Sequence, residues 1–326
     1  MNNIYQDELY NKDIKERFLS ELRSTTKKNY ELKLKRACKI EKRLGKDLYD
    51  FSLAEIEEVI YYLSPTKLNS AINYGSILRS YIDWACSHGL RKDKLNPLAS
   101  IGGSKYFEKF VPQQTLIRDD ALRLALSQIA SDRDIAIIQG VFEGIMGRKY
   151  SELLNLKMKD IDIEHKIAHL KNMGAYGDIE ERSIVISPFL VRALERANAE
   201  TTYKSNLGAG SSKRDEAKLK ESDYIIKSSK QDQVKSTLIS QVVTKFAVKL
   251  NLPKLTPYDL RNSGMLYMAK NKYIEKKGKL DSSDINAICR HYNTTSKDGE
   301  IYFSTTYTRD FLNVETIKRI YSDEVE

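Results

Sequence analysis

Along the first hundred positions, apolar side chains return every three or four residues, the period that lays them on one face of a helix. Tyr30, Leu34, Cys38 and Ile40 keep roughly that spacing behind Thr25-Thr26. Ser52-Leu-Ala-Glu55 has the form of a capping box and opens a helix through Ile56, Val59, Ile60 and Leu63. Pro65 stops that helix. A longer one is predicted over 66–88, with Leu68, Ile72, Leu78, Ile82 and Ala85 on one side and Gly89 as its cap. Over 92–114 the pattern lapses: Asn96-Pro97 and Gly102-Gly103 punctuate the chain and lysines recur. This predicts a helical domain over 1–100, a linker over 101–114 and a second domain over 115–326.

The second domain starts as helix near Asp119-Asp120 and includes a strongly apolar helix over 136–146. At 166–171 and 182–187 the period falls to two, with Ile184 and Ile186 alternating with Ser183 and Val185, so two strands are predicted around a turn-rich 172–178. Pro188 ends the second strand, and a helix follows through Leu190 to Ala199. The Ser/Gly/Lys-rich stretch 201–223 has no period and is expected to be a mobile loop. Helical spacing returns at 236–250 and runs, with breaks, to an amphipathic tail bearing Leu312, Val314, Ile317, Ile320 and Tyr321. That tail packs either on its own domain or on a neighbouring protomer. The expected fold is mainly α with a small β-sheet.

Composition narrows the function. The chain has 326 residues, 41% hydrophobic and 30% charged, which suits packed cores. One core rarely grows past about 250–300 residues, which favours two or three domains. The net charge is +9, from 54 basic and 45 acidic residues. That surplus favours a polyanion: nucleic acid first, an anionic membrane surface second. No apolar run spans a bilayer, and Met1-Asn-Asn-Ile-Tyr-Gln-Asp-Glu8 has neither part of a signal peptide. Cys38, Cys86 and Cys289 are odd in number and far apart, so they form no disulfide framework or zinc spacing. Only His165 and His169 among four histidines are close together, so no metal cluster is expected. A reducing cytoplasm is the expected setting.

Candidate chemistry begins at Gly147-Arg-Lys-Tyr-Ser-Glu-Leu-Leu-Asn-Leu156, followed by Asp160-Ile-Asp162. This run resembles a signature of the tyrosine recombinases, the phage-integrase family: Gly-hydrophobic-Arg-x-Ser-Glu-Leu-x-x-Leu, then Asp-Ile-Asp. The first arginine of that pattern falls on Lys149, with Arg148 one step before it. Three readings stand: a natural variant, a register shift that uses Arg148, or an engineered Arg→Lys. Further signatures follow in the family's order. Lys171 resembles the hairpin lysine, with Lys166 its nearest competitor. Tyr258-Asp-Leu-Arg261 resembles His-x-x-Arg, with Tyr258 where histidine is commoner. His291 resembles the next His or Trp. Thr305-Thr-Tyr307-Thr308 resembles the nucleophile motif, while Tyr302 has the nearer spacing from His291 but lacks the following threonine.

The resemblance implies a SAM-like core-binding domain before the linker and a catalytic domain after it, and a site-specific strand transferase acting on duplex DNA. The tyrosine oxygen would attack a backbone phosphate, hold the 3′ phosphate as an ester and release a 5′ hydroxyl. A hydroxyl from another strand would then reseal the DNA, without metal or nucleotide cofactor. Fixed cations must neutralise the nonbridging oxygens, and two guanidiniums suit this because each is a planar fork of donors that stays charged. Arg261 would be one; Lys149 would bring charge without a fork, which predicts weaker catalysis. Lys171 would protonate the leaving oxygen. His291 would donate to the phosphate. Tyr258 would donate a hydrogen bond but, with a pKa of about 10, is a poor general base. Glu152 would fix a cation of the site and Asp259 would orient its helix. The implied partners are double-stranded DNA, other protomers in a tetramer on two sites, and accessory DNA-bending proteins, in the setting of a mobile genetic element.

A first rival is a recombinase-like DNA-binding regulator with attenuated catalysis, which Lys149 and Tyr258 support. A second is a basic protein that binds no nucleic acid and uses its charge only for solubility.

Overall fold

A computed structural model of the chain describes residues 8–325 except 66, 102, 112–113, 175–176, 205, 208–215, 253–254 and 295–303. The described residues fall into two units, Met1–Gln113 and Gln114–Glu326. Among them, no helix is long and apolar enough to cross a membrane.

The first unit is helical: α1 (Lys12–Ser20), α2 (Ser24–Leu44), α3 (Leu53–Leu63), α4 (Leu68–Ser87) and α5 (Lys105–Glu108). The capping box before α3 forms as its residues predict, with the Glu55 amide donating to Ser52 Oγ and the Ser52 amide to Glu55 Oε2. Gly89 follows α4 with φ +69°. The apolar faces of the long helices enclose Phe18, Leu34, Ile56, Leu78 and Tyr81 in one core.

Residues 101–114, expected to be a linker, differ from that expectation. They carry α5, and Phe107 and Phe110 are buried in the core of the first unit. Gly75 of α4 makes the room: a Cβ there would lie 2.3 Å from the Phe107 ring. Aromatic side chains, more than the Gly/Pro/Lys punctuation, decide where this stretch packs.

The second unit opens with α6 (Asp119–Leu126), α7 (Asp132–Phe142) and α8 (Ser151–Asn155). A three-stranded antiparallel sheet follows in the order β1 (Ile161–Asp162), β2 (Ile167–Met173), β3 (Ile179–Val185). Its inward positions are Ala168, Leu170 and Ile184, its outward ones His169, Lys171 and Val185, as the alternation predicts. Then come α9 (Pro188–Ala199), β4 (Thr202–Lys204), β5 (Glu216–Lys218), α10 (Ser236–Lys249), α11 (Pro257–Glu275), α12 (Ser282–His291), α13 (Ser304–Asp310), α14 (Val314–Ile320) and α15 (Ser322–Val325). Within 201–223, the expected loop, β4 and β5 pair antiparallel with Tyr203 opposite Ala217. They are anchored because Leu207 and Leu219 are buried and Tyr203 lies 3.9 Å under the Arg133 guanidinium. The tail packs on its own domain, with Ile317 and Tyr321 fully buried beside Met265, Leu266 and Phe311.

Candidate active site

Three segments of the second unit converge on the sequence motifs. The first is the turn after α7. Gly147 has φ +65°, and a Cβ there would fall 2.7 Å from Asn172 Oδ1 and from Glu152 Cγ, so both conformation and space require glycine. The Arg148 amide donates to Asn172 Oδ1 at 2.7 Å, and Ser151 Oγ donates to the same oxygen at 2.9 Å. The turn is thereby tied to β2. Lys149 and Tyr150 follow with φ of 52° and 66°, left-handed conformations that side-chain-bearing residues seldom adopt. Such residues cost on the order of 1–3 kcal/mol each and persist where surrounding contacts impose them. Here Tyr150 Oη meets Ser240 Oγ at 3.0 Å.

The exposed side chains of Arg148 and Lys149 border a pocket of about 390 Å³, whose other walls are Tyr150, Ser236 and Tyr258. The Arg148 guanidinium is already engaged: Nη1 donates to the Gly174 carbonyl at 3.0 Å.

The second segment is the start of α11. Thr256 and Asp259 form a capping box ahead of Pro257, so Asp259 holds the helix end in place. One turn on, Arg261 projects its guanidinium, with Asn262 Oδ1 accepting from Nη2 at 3.0 Å. The Tyr258 ring lies 5.2 Å from that guanidinium.

The third is α13, which brings Tyr307 to Arg261: Nη2 donates to Tyr307 Oη at 3.1 Å. A phenol and a guanidinium 46 residues apart in sequence thus share one hydrogen bond. Tyr302, the other nucleophile considered, lies outside the described residues.

Two motif residues are turned elsewhere. His291 ends α12 with Nε2 2.9 Å from the Glu143 carbonyl, so that nitrogen carries the proton. Burial, assisted by the nearby Arg182 guanidinium, lowers the pKa of this histidine, so the ring is neutral and Nδ1 is an acceptor. Lys171 stands on the outward face of β2 and pairs at 3.6 Å with Glu181 across the sheet. Lys166 lies in the exposed turn before β2.

Sequence reasoning missed the strongest polar contact of the region. Arg182 of β3 donates Nε to Glu152 Oε1 at 2.6 Å and Nη2 to Glu152 Oε2 at 2.7 Å. It also donates to the carbonyls of Gly144, at 2.8 Å, and His291. Glu152 is fully buried and accepts the Met146 amide as well. One guanidinium therefore joins the turn after α7, α8 and the end of α12. The signal was in the alternation: position 182 is in phase with Ile184 and Ile186, and an arginine on an inward phase requires a buried acid. Asn172 was legible in the same way, in phase with Ala168 and Leu170.

A family model described as MrpR, C-terminal catalytic domain, matches residues 116–322, more than half of the chain. A second, MrpR, N-terminal core-binding domain, matches residues 9–87. The chain is 29% identical over 322 residues to the SPbeta prophage-derived uncharacterized protein YopR of Bacillus subtilis (strain 168), covering 97% of this chain and 98% of that one. Among solved structures it resembles XerH site-specific recombinase bound to a palindromic difH substrate in a post-cleavage complex. The TM-score is 0.52 at 15% identity, over 91% of this chain and 79% of that one. It also resembles a lambda integrase dimer bound to a COC′ core site, with a TM-score of 0.46 at 15% identity, over 91% and 95% of the two chains. By the span of the catalytic-domain match, the chain belongs to the MrpR family, and it shares the fold of the tyrosine recombinases.

Proposed function

We propose that this protein binds a specific duplex DNA sequence on a recombinase scaffold and acts as a regulator or accessory factor, with strand transfer attenuated. The carrying observation is how the cations of the matched motifs are occupied. A phosphoryl-transfer transition state without metal needs two forked donors on the nonbridging oxygens. Arg261 supplies one. At the other position stands Lys149, a point charge without a fork, and the adjacent Arg148 holds the Gly174 carbonyl. The histidine donor is also diverted, His291 to the Glu143 carbonyl.

DNA binding survives these changes because it draws on charge distributed over the surface. On α2, Lys28, Lys35, Lys39, Lys42 and Arg43 recur at helical spacing opposite the buried Leu34, Ala37 and Glu41. Lys35, Lys42 and Arg43 pair with the surface acids Glu31, Glu8 and Glu58, weak solvated contacts that a phosphate can displace. The net charge of +9 points the same way. The relatives add a setting: YopR is named as prophage-derived, and the XerH recombinase was captured on its DNA.

The second reading is an active integrase-like recombinase that cleaves and rejoins DNA through a 3′-phosphotyrosyl intermediate at Tyr307, assembled as a tetramer on two sites. The 3.1 Å bond between Arg261 and Tyr307 favours it. Selection of bound sequences from a random duplex library, followed by trapping on a nicked suicide substrate made from the winner, separates the two. The regulator reading expects a selected sequence, affinity that falls steeply with salt, and little or no covalent adduct. An abundant adduct that disappears in Tyr307→Phe would establish the recombinase instead. A chain that selects no sequence at any salt would remove both.

A further inference from the structure

Where α1, α2 and α4 meet, the first unit buries a cluster of ionisable groups that the DNA chemistry does not use. Lys15 of α1, Glu41 of α2 and Asp47, just before α3, are 0%, 0% and 2% exposed. Lys15 Nζ donates to Glu41 Oε1 at 2.6 Å, to Asp47 Oδ2 at 3.0 Å and to the Tyr10 carbonyl at 2.9 Å, which uses all three of its protons. From α4, Tyr81 donates to Asp47 Oδ1 at 2.9 Å. Asn11 donates to Asp47 Oδ2 at 3.0 Å and the Leu48 amide to Glu41 Oε1 at 2.8 Å. The other titratable groups nearby are Tyr10, whose ring lies 5.7 Å from Lys15 Nζ, Tyr49 beside Tyr81, Asp50, and Cys38 and Lys42 of α2.

The charges do not balance. One ammonium faces two carboxylates, and every other contact comes from a neutral donor. One oxygen, Glu41 Oε2, is buried with no hydrogen-bond partner. A lone buried negative charge is costly, whereas a proton on that orphaned oxygen would make the knot neutral.

We propose that this cluster is a proton switch in the core-binding domain: a proton on Glu41 seals α1 against α2 and α4, and its loss loosens α1 from the helix that carries the cationic stripe. The proton comes from water, and no other reactant is needed. Burial, with Asp47 beside it and Lys15 opposing, pushes Glu41 up to about 7, so the switch works near neutrality. Its effect on DNA rests on the DNA-binding reading above; the switch itself does not.

Hydrogen exchange of the full chain tests it. In the wild type, protection of the α1 amides should fall about tenfold per pH unit from about pH 5 to pH 7 and then level off, one proton being linked to the opening. In Glu41→Gln, where Lys15 faces Asp47 alone, protection should stay flat. Should that variant fail to fold, Asp47→Asn leaves Lys15 facing Glu41 alone and should be flat as well. Infrared difference spectra between about pH 6 and about pH 8.5, wild type against whichever variant folds, should show a protonated-carboxyl C=O band in the wild type alone. The comparison removes the bands of Asp134, Glu143 and Glu200, acids of the second unit whose pKa values burial also raises. A flat wild-type profile, an unchanged slope in a folded amide variant, or no carboxyl band confined to the wild type would overturn the switch. If DNA is bound, wild-type affinity should weaken over the same range more than that of Glu41→Gln. A wild type that binds no DNA yet shows the exchange slope would sink the DNA-binding reading and leave the switch standing.

Discussion

Lys15 in the first unit and Arg182 in the second are both cations withdrawn from water, and each ties several elements together. Their surroundings differ in stoichiometry. Arg182 meets one carboxylate, Glu152, in a bidentate pair and gives its remaining contacts to the backbone carbonyls of Gly144 and His291. That cluster is electrically neutral, and the planar fork of the guanidinium matches its acceptors. Lys15 meets two carboxylates and leaves one oxygen of Glu41 without a partner. A neutral cluster is a fixed brace, while a cluster with excess acid answers to pH. The brace lies under the candidate active site, and the titrating knot lies under the helix with the cationic stripe.

Removing the brace should produce the largest effect. Arg182→Met leaves the buried Glu152 without its partner, which costs about 3–5 kcal/mol of stability in urea unfolding of the full chain. Arg182→Lys should recover only a minor part, because one ammonium cannot hold two carboxylate oxygens and two carbonyls in the same plane. Full recovery by lysine would mean that charge alone, and not the fork, holds these segments.

Lys15→Met should cost a similar amount, about 3–5 kcal/mol, but only at neutral and alkaline pH. In acid the two carboxylates take up protons and the penalty shrinks. In the wild type, the raised pKa of Glu41 gives the folded state more protons than the unfolded one between its ordinary value of 4.5 and about 7. The stability it confers is complete below that window, declines at about 1.4 kcal/mol per pH unit through it, and is gone above it. Denaturation midpoints of wild type, Lys15→Met and Glu41→Gln across that range would show whether the excess acid, absent from the Arg182 cluster, is the cause.

The two clusters were unequally legible in the sequence. Helical spacing located α2, α3 and α4, and the Ser52/Glu55 box marked the start of α3, because each rests on neighbours a few residues apart. Two-residue alternation located β2 and β3, and extending its phase from Ile184 by two residues would have put position 182 on the inward face. The partners of Arg182 are 30 and more positions away, and the carboxylate partners of Lys15 lie 26 and 32 away, so no local period announces them. The site motifs were found through their resemblance to a family; what could not be read was how each side chain is occupied. That Arg148 is turned to Gly174 and His291 to Glu143 depends on the backbone path of the turn after α7, where Lys149 and Tyr150 take left-handed conformations. Phe107 lies in a slot left by Gly75, and only folding brings the two together.

A local cap offers a smaller, cleaner reference for both clusters. Ser52→Ala removes one side of the α3 capping box without disturbing a buried charge, and should cost about 1 kcal/mol with no pH slope between about 5 and 7. If it acquired a slope, the pH dependence assigned to Glu41 would have to be shared with the rest of the first unit.

The smallest effect is expected where cations and acids meet in water. Arg118 pairs with Asp120, Asp323 and Glu324, at the start of α6 and in the C-terminal tail, in a network whose arginine side chain is one-quarter exposed. The acids hold Arg118 more firmly protonated than usual, but solvent screens the contacts, and each partner has water as an alternative. The tail also has an apolar anchor, since Ile317 and Tyr321 are fully buried. Arg118→Gln should therefore raise exchange at α15 slightly at low salt and not at all at about 1 M salt, where the Debye length is about 3 Å. The Arg182 brace, whose carboxylate partner Glu152 is fully buried while the acids around Arg118 are open to water, should keep its contribution at both. If salt abolished the effect of Arg182→Met as fully as that of Arg118→Gln, the separation between buried and surface cations drawn from this structure would fail.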